Sequence, residues 1–179
     1  MMTSEPVINI DDLKLDITSK QEQEQEQEQK PKQEQIKTGI FKKYDNEEKL
    51  VADYIYVNNM KNGISHVYDS NGTIGIICNY VDNKYHGKYE IFNEKGNIEI
   101  SCNYQNDILD GKYECFDKGK IYYVKNYKNG ILDGEAIFTE YIKKTVVIHK
   151  FMYDEGNIIS YNKYINNDLY ESFIFSKNQ

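Results

Sequence analysis

The chain has no arginine and no tryptophan, only two prolines and three cysteines, and no apolar run long enough to cross a bilayer. Each shortage closes off a class of function. Without arginine there is no planar fork for paired phosphate contacts, and a net charge of −7 offers no basic stripe, so nucleic acid is not an expected partner. A spanning helix needs about 18 or more consecutive apolar residues, and the first residues lack the basic start and apolar core of a secretory signal. The chain therefore reads as intracellular. Three cysteines, an odd number with no CxxC pair, fit reduced thiols rather than a disulfide framework or a zinc site. The sequence also holds no GxxxxGKS/T, HExxH or GxSxG, so no catalytic, metal-ligating or cofactor-binding residue is nominated and neither an enzyme nor a cofactor is expected.

What is present is an internal repeat. Gly39, Gly63, Gly87, Gly111 and Gly134 stand 24, 24, 24 and 23 residues apart. The clearest copies run Gly87-Lys-Tyr-Glu-Ile-Phe-Asn-Glu-Lys-Gly96 to Tyr104, and Gly111-Lys-Tyr-Glu-Cys-Phe-Asp-Lys-Gly119 to Tyr127. Gly63 to Tyr80 keeps the frame with Gly72 as its second glycine, and Gly39 to Tyr56 keeps it with Glu48 in that place.

Within each copy a short apolar run, a polar turn and an alternating run read as a two-stranded hairpin, because a period of two means strand. Leu50, Ala52, Tyr54 and Tyr56 share one face, as do Ile74, Ile76, Cys78 and Tyr80, and then Ile98, Ile100, Cys102 and Tyr104. Asp53, Asn79, Glu99, Ser101, Asn103 and Asn126 fall on the other face, where Ile77 and Val124 blur the polarity. Gly72, Gly96 and Gly119 supply the positive φ of the turn within a copy. The return turns between copies are expected at Asn62-Gly63, Tyr85-His86-Gly87, Leu109-Asp110-Gly111 and Leu132-Asp133-Gly134. His66 and His86 read as solvated surface. Cys78 and Cys102 read as small core residues about 10 Å apart, with His149 in the same column. Glu90 and Glu114 recur at the repeat period and suggest a carboxylate ladder on a solvated face. Beyond Gly134, Phe151 fills the closing aromatic position, and Asp154-Glu-Gly156-Asn157 leads into a degenerate cap over 152–179 that ends in Phe173-Ile-Phe175.

Strand-turn-strand copies with an aromatic before a polar, glycine-bearing turn resemble the MORN repeat in its divergent bacterial and viral form. Asn126-Tyr-Lys-Asn-Gly-Ile-Leu-Asp-Gly134-Glu is the nearest match. The better-known form has a glycine two places after the leading one, where this chain has Phe41, Ser65, Tyr89, Tyr113 and Ala136. The resemblance implies an all-β, open, solenoid-like array of antiparallel hairpins over residues 38–179. Its glycines and Tyr56, Tyr80, Tyr104 and Tyr127 would be framework rather than chemistry. Abundant Asn, Ile, Lys and Tyr without Arg or Trp also resembles the output of AT-rich genomes, as in large DNA viruses, protists and low-GC bacteria.

Residues 1–37 differ in kind. They alternate Gln and Glu from Gln21 to Gln29, hold nine acids against five lysines, and contain no aromatic residue. Such a tract cannot bury enough apolar surface to repay its conformational entropy, so a disordered tail is expected, with Val7 to Ile17 as its one apolar stretch. For the array, the expected role is a non-catalytic scaffold that binds a protein partner through its polar face or an end strand. An end strand that pairs with its own copy would give a dimer or a filament. Two alternatives come from the resemblance: an adaptor on acidic phospholipid, for which Lys42, Lys43, Lys143 and Lys144 are the paired lysines and imply weak binding, and an antitoxin-like protein with a tight toxin partner. Removing residues 1–37 should leave one cooperative melt within a few degrees of the full chain; loss of cooperativity in calorimetry refutes the division.

Overall fold

The computed structural model describes residues 36–175, and the period-two alternation is realised there as fourteen strands with no helix. The first seven are β1 (Gly39–Tyr44), β2 (Leu50–Val57), β3 (Met60–Lys61), β4 (Gly63–Tyr68), β5 (Ile74–Val81), β6 (Lys84–Phe92) and β7 (Ile98–Gln105). Then come β8 (Ile108–Asp117), β9 (Lys120–Lys128), β10 (Ile131–Leu132), β11 (Gly134–Ile142), β12 (Thr145–Asp154), β13 (Asn157–Ile165) and β14 (Asp168–Ile174). The tail expected to be disordered lies, except for its last two residues, outside the described residues.

Every strand pairs with its neighbour in the chain, antiparallel throughout, in one sheet of order β1-β2-β4-β5-β6-β7-β8-β9-β11-β12-β13-β14; β3 and β10 are two-residue additions beside β2 and β9. The all-β, open hairpin array is therefore what the chain forms. The sheet does not close, since β1 and β14 do not pair. At about 4.8 Å per strand, twelve strands span roughly 50 Å.

The leading glycines fall opposite the closing tyrosines. Gly39 pairs with Tyr56, Gly63 with Tyr80, Gly87 with Tyr104, and Gly111 with Tyr127. Gly134 pairs with Tyr153, and Phe151 lies opposite Ala136, so Tyr153 and not Phe151 closes the fifth copy. That hairpin has longer arms, which moves its closing aromatic two residues along. The Glu155-Gly156 reversal consequently separates copies. A complete sixth hairpin, β13 and β14 joined at Asn166-Asn167, follows it.

The return turns between copies also sit elsewhere than expected. Reversal occurs at Asn58-Asn59, Asp82-Asn83 and Asn106-Asp107, with φ of 51° and 69°, 49° and 69°, and 52° and 69°. Two consecutive left-handed residues make the type I′ turn, whose twist suits a two-residue hairpin and which asparagine and aspartate tolerate. The leading glycine comes four or five residues later, in a bulge. Between the pairs Cys78↔Tyr89 and Tyr80↔Tyr85, the single residue Asn79 faces three, His86, Gly87 and Lys88. Gly87 sits at φ 84° in that bulge and Gly111, facing Asn103, at 99° in the next; a Cβ at Gly87 would meet nothing closer than 3.9 Å, so backbone conformation rather than space calls for glycine.

Consecutive return turns are fastened to one another. Asn59, Asn83 and Asp107 donate their backbone N–H to the carbonyls of Lys37, Lys61 and Tyr85, at 2.9, 3.0 and 3.0 Å. Their side-chain Oδ1 atoms accept the N–H of those same residues, at 2.6, 2.8 and 2.7 Å. In the later joints glycine takes the place, and the backbone bonds Gly130 to Leu109 and Gly156 to Leu132 remain at 2.8 Å. Replacing Asn83 by glycine should cost about 1 kcal/mol through the lost side-chain bond, and Asn83→Ala about 1 kcal/mol more for a Cβ at positive φ. Chemical denaturation of the two variants checks this, and equal stability of both with the parent refutes the clamp.

With a single layer, burial falls to the smallest side chains. Ser65, Cys78, Cys102, Ala52 and Ala136 are the most enclosed, at 0, 2, 2, 3 and 4% exposure, because larger neighbours lean across them. Tyr80 stacks on Tyr85 at 4.7 Å, and Tyr85 meets Tyr89 and Tyr104 at 5.2 and 5.6 Å. Such aromatic contacts add to simple area burial. Cross-strand pairing sets Cys78, Tyr89, Cys102 and Tyr113 in one row, alternating small with large.

Candidate functional site

Opposite the tyrosine face, one register row crosses all twelve strands without a break. It runs Lys42, Asp53, His66, Ile77, Glu90, Ser101, Glu114, Val124, Ile137, Lys150, Asn162, Ser172. None of these residues is buried. The alternation anticipated from the sequence is thus realised as a polar band, with Ile77, Val124 and Ile137 as its apolar members.

The band's charges are partnered locally. Lys88 Nζ lies 2.7 Å from Glu90 Oε1, and Lys112 makes the equivalent pair with Glu114 one repeat on; the lysines are exposed and the carboxylates mostly covered. Lys150 and Glu135 come within 3.8 Å. Pairs with one exposed partner contribute little stability, about 0–1 kcal/mol, so their weight lies in the charge pattern they display. Glu90 and Glu114 stand two strands apart with Ser101 between them, which is the carboxylate ladder on one face.

Asp53, His66 and Tyr68 form the most organised polar cluster. Asp53 Oδ1 lies 2.9 Å from His66 Nδ1, and Tyr68 donates its hydroxyl to Asp53 Oδ2 at 2.7 Å. His66 is therefore a partnered, half-buried residue and not free surface. His86 also departs from the solvated reading, because its bulge buries Nδ1. Burial raises the Asp53 pKa, but the hydrogen bonds from Tyr68 and His66 outweigh it and leave the carboxyl below its ordinary value. An Asp-His pair suggests nucleophile activation, yet Ser65 and Cys78 belong to the opposite face of the same strands. Neither the Ser65 hydroxyl nor the Cys78 thiol therefore shares the face of this pair.

The cysteines are packed within the tyrosine face. All three are free and buried. Burial, with Cys115 nearby, pushes the Cys102 thiol up to about 11, and burial raises Cys78 as well, so the nucleophilic thiolate is suppressed near neutral pH. His149 lies in the row of Cys115, Tyr123 and Phe138, beside that of Cys78 and Cys102 and not within it; its Nδ1 is 2.8 Å from the Tyr161 hydroxyl. Among the described residues, no three of His, Cys, Asp and Glu gather to hold a metal ion.

The glycine and tyrosine framework residues have structural places: Gly39, Gly63, Gly87, Gly111 and Gly134 opposite closing tyrosines, and Gly72, Gly96 and Gly119 in turns at φ 83°, 76° and 75°. The fourth hairpin, whose Lys118-Gly119 turn is the shortened one, leaves a notch of about 860 Å³ between its neighbours' longer arms. Glu99, Asp117, Lys120, Tyr122, Glu140 and Tyr141 line it, with Lys120 Nζ 5.1 Å from the Tyr141 ring. The notch is an opening at the turn edge, charged and aromatic.

No protein-family model matches the chain, and no curated protein matches it.

Asp53 makes acid stability testable. Its depressed pKa contributes stability above the ordinary carboxylate value of about 3.9, and this is lost as pH falls through the folded value. Asp53→Asn should destabilise by roughly 1–2 kcal/mol at pH 7, with the gap from the parent narrowing below about pH 4. A gap constant from pH 7 to pH 3 in chemical denaturation refutes the role.

Proposed function

We propose that this chain is a non-catalytic scaffold that binds a protein partner along the polar face of its hairpin array, an array whose repeat frame resembles the MORN type. The observation that carries this reading is the twelve-residue row from Lys42 to Ser172, accessible along its whole length. An extended surface of alternating charge suits an extended partner, because local charge complementarity fixes register and specificity more than raw affinity. Fixed carboxylates at Glu90 and Glu114, each with a lysine beside it, repeat the same dipolar unit one copy apart.

The acidic-lipid alternative draws less support. Lys42 and Lys43 are on β1 whereas Lys143 and Lys144 are at the turn between β11 and β12, eight strands away or roughly 40 Å. Charges so dispersed do not add up to a polybasic site. The antitoxin-like alternative predicts one tight partner and uses the same surface.

The full chain and residues 38–179 should each capture the same saturable protein from nuclease-treated lysate at moderate salt. Lys88→Glu with Lys112→Glu, both exposed, should weaken that capture at least tenfold while moving the melting temperature by no more than a few degrees. Capture that survives this reversal, or that fails only in variants that unfold, refutes the polar-face reading.

A further inference from the structure

The two edges of the sheet are complementary in register. Among the described residues, β1 pairs with β2 and β14 with β13, and the outer side of each is open. A second row, on the tyrosine face, also crosses all twelve strands: it begins at Lys43 and ends at Glu171. Two residues outward from these along β1 and β14 are Phe41 and Phe173, and one residue further are Ile40 and Ile174, exposed at 72 and 87%.

We propose that a second copy of this chain docks its β1 on β14, continuing the sheet head to tail. Extending the existing rows by one strand sets Glu171 opposite Lys43, Ser172 opposite Lys42, Phe173 opposite Phe41 and Ile174 opposite Ile40. Opposite charges and aromatic pairs directly across an antiparallel ladder are the favourable kind. Strand direction agrees as well. Twelve strands is an even number, so the incoming β1 runs antiparallel to β14, and the alternation of hydrogen-bonded and non-bonded pairs returns to its starting phase. Pairing either edge with itself is worse, because it brings Lys42 and Lys43 towards their own copies, or Asp168 and Glu171 towards theirs. The contact is heterologous and leaves a fresh β1 and β14 at the two ends, so it does not close; the product is an extended sheet rather than a dimer.

The proposal does not rest on the polar-face reading, since Lys88 and Lys112 are remote from both edges. Sedimentation velocity of the full chain over a concentration series at low salt should show a mass that grows past dimer without a limit. Lys43→Glu or Glu171→Lys alone should raise the half-assembly concentration about fivefold or more, and the two together should restore it. Circular dichroism confirms that each variant is folded, which is expected at edge positions where Lys43 is exposed and Glu171 half-buried. A monomer at every concentration, a closed dimer, or growth indifferent to both single reversals overturns the proposal.

Discussion

The two extra residues accommodated beside each leading glycine set the geometry of the whole sheet. Within a hairpin, pairing could continue in any register that matches the turn. Between hairpins, the chain leaves a type I′ turn and must then spend two more residues than its neighbour before the ladder resumes, as His86, Gly87 and Lys88 do against Asn79. An excess of two keeps the alternation in step on both strands, and at the joint of β12 and β13, which has no leading glycine, the excess is one residue, Ile159. The positive φ at Gly87 and Gly111 is what lets the strand absorb the excess, and Asn79 fills the gap by donating its amide to the His86 carbonyl at 2.8 Å. Asn126 does the same for Glu135 at 2.6 Å. The rows from Lys42 to Ser172 and from Lys43 to Glu171 run unbroken through these joints.

A single layer then dictates where each residue type can go. Among the described residues no second sheet or helix covers either face, so few large side chains are enclosed, Tyr80 at 8% exposure being one, while many help to enclose a small neighbour. This is why Ser65, Cys78 and Cys102 are buried while most tyrosines keep an exposed edge, and why burial raises the pKa of Tyr89 and Tyr113 to about 12. The same burial raises the Cys78 and Cys102 thiols. The other face is where mostly covered carboxylates meet exposed lysines.

Much of this was legible in the residues, and what was not has identifiable causes. Glycine spacing and the column ending in Tyr80 and Tyr104 predicted the hairpins and their sidedness, because both signals are local and periodic. The return turn was misplaced because glycine is the stronger turn signal in sequence, yet here it marks a bulge; the doublets Asn58-Asn59, Asp82-Asn83 and Asn106-Asp107 were the true marks and lie one strand-end earlier. Phe151 reads as the closing aromatic in sequence because the fifth hairpin's longer arms cannot be counted without its turn, whereas Tyr153 lies opposite Gly134. The Asp53 cluster was invisible because His66 and Tyr68 are 13 and 15 residues from Asp53, and only the ladder between β2 and β4 brings them together. His86 had no signal of its own, since its burial follows from the bulge.

Among the described residues, the two edges of the sheet are defended unequally. Natural sheets protect an open edge with lysines, bulges or short strands, because an unpaired row of N–H and C=O groups recruits whatever strand comes near. β1 carries that protection in Lys42 and Lys43. β14 carries no lysine: a bulge at Tyr170 interrupts it, Leu169, Tyr170, Phe173 and Ile174 are exposed at 58, 62, 52 and 87%, and Asp168 and Glu171 are its only charges. Beyond that bulge, the run from Glu171 to Ile174 keeps a regular register and carries no cation. An apolar edge with an acid in its middle repels neither strand nor lysine, and the strand in this chain that offers lysines at the matching register is the one at the other end.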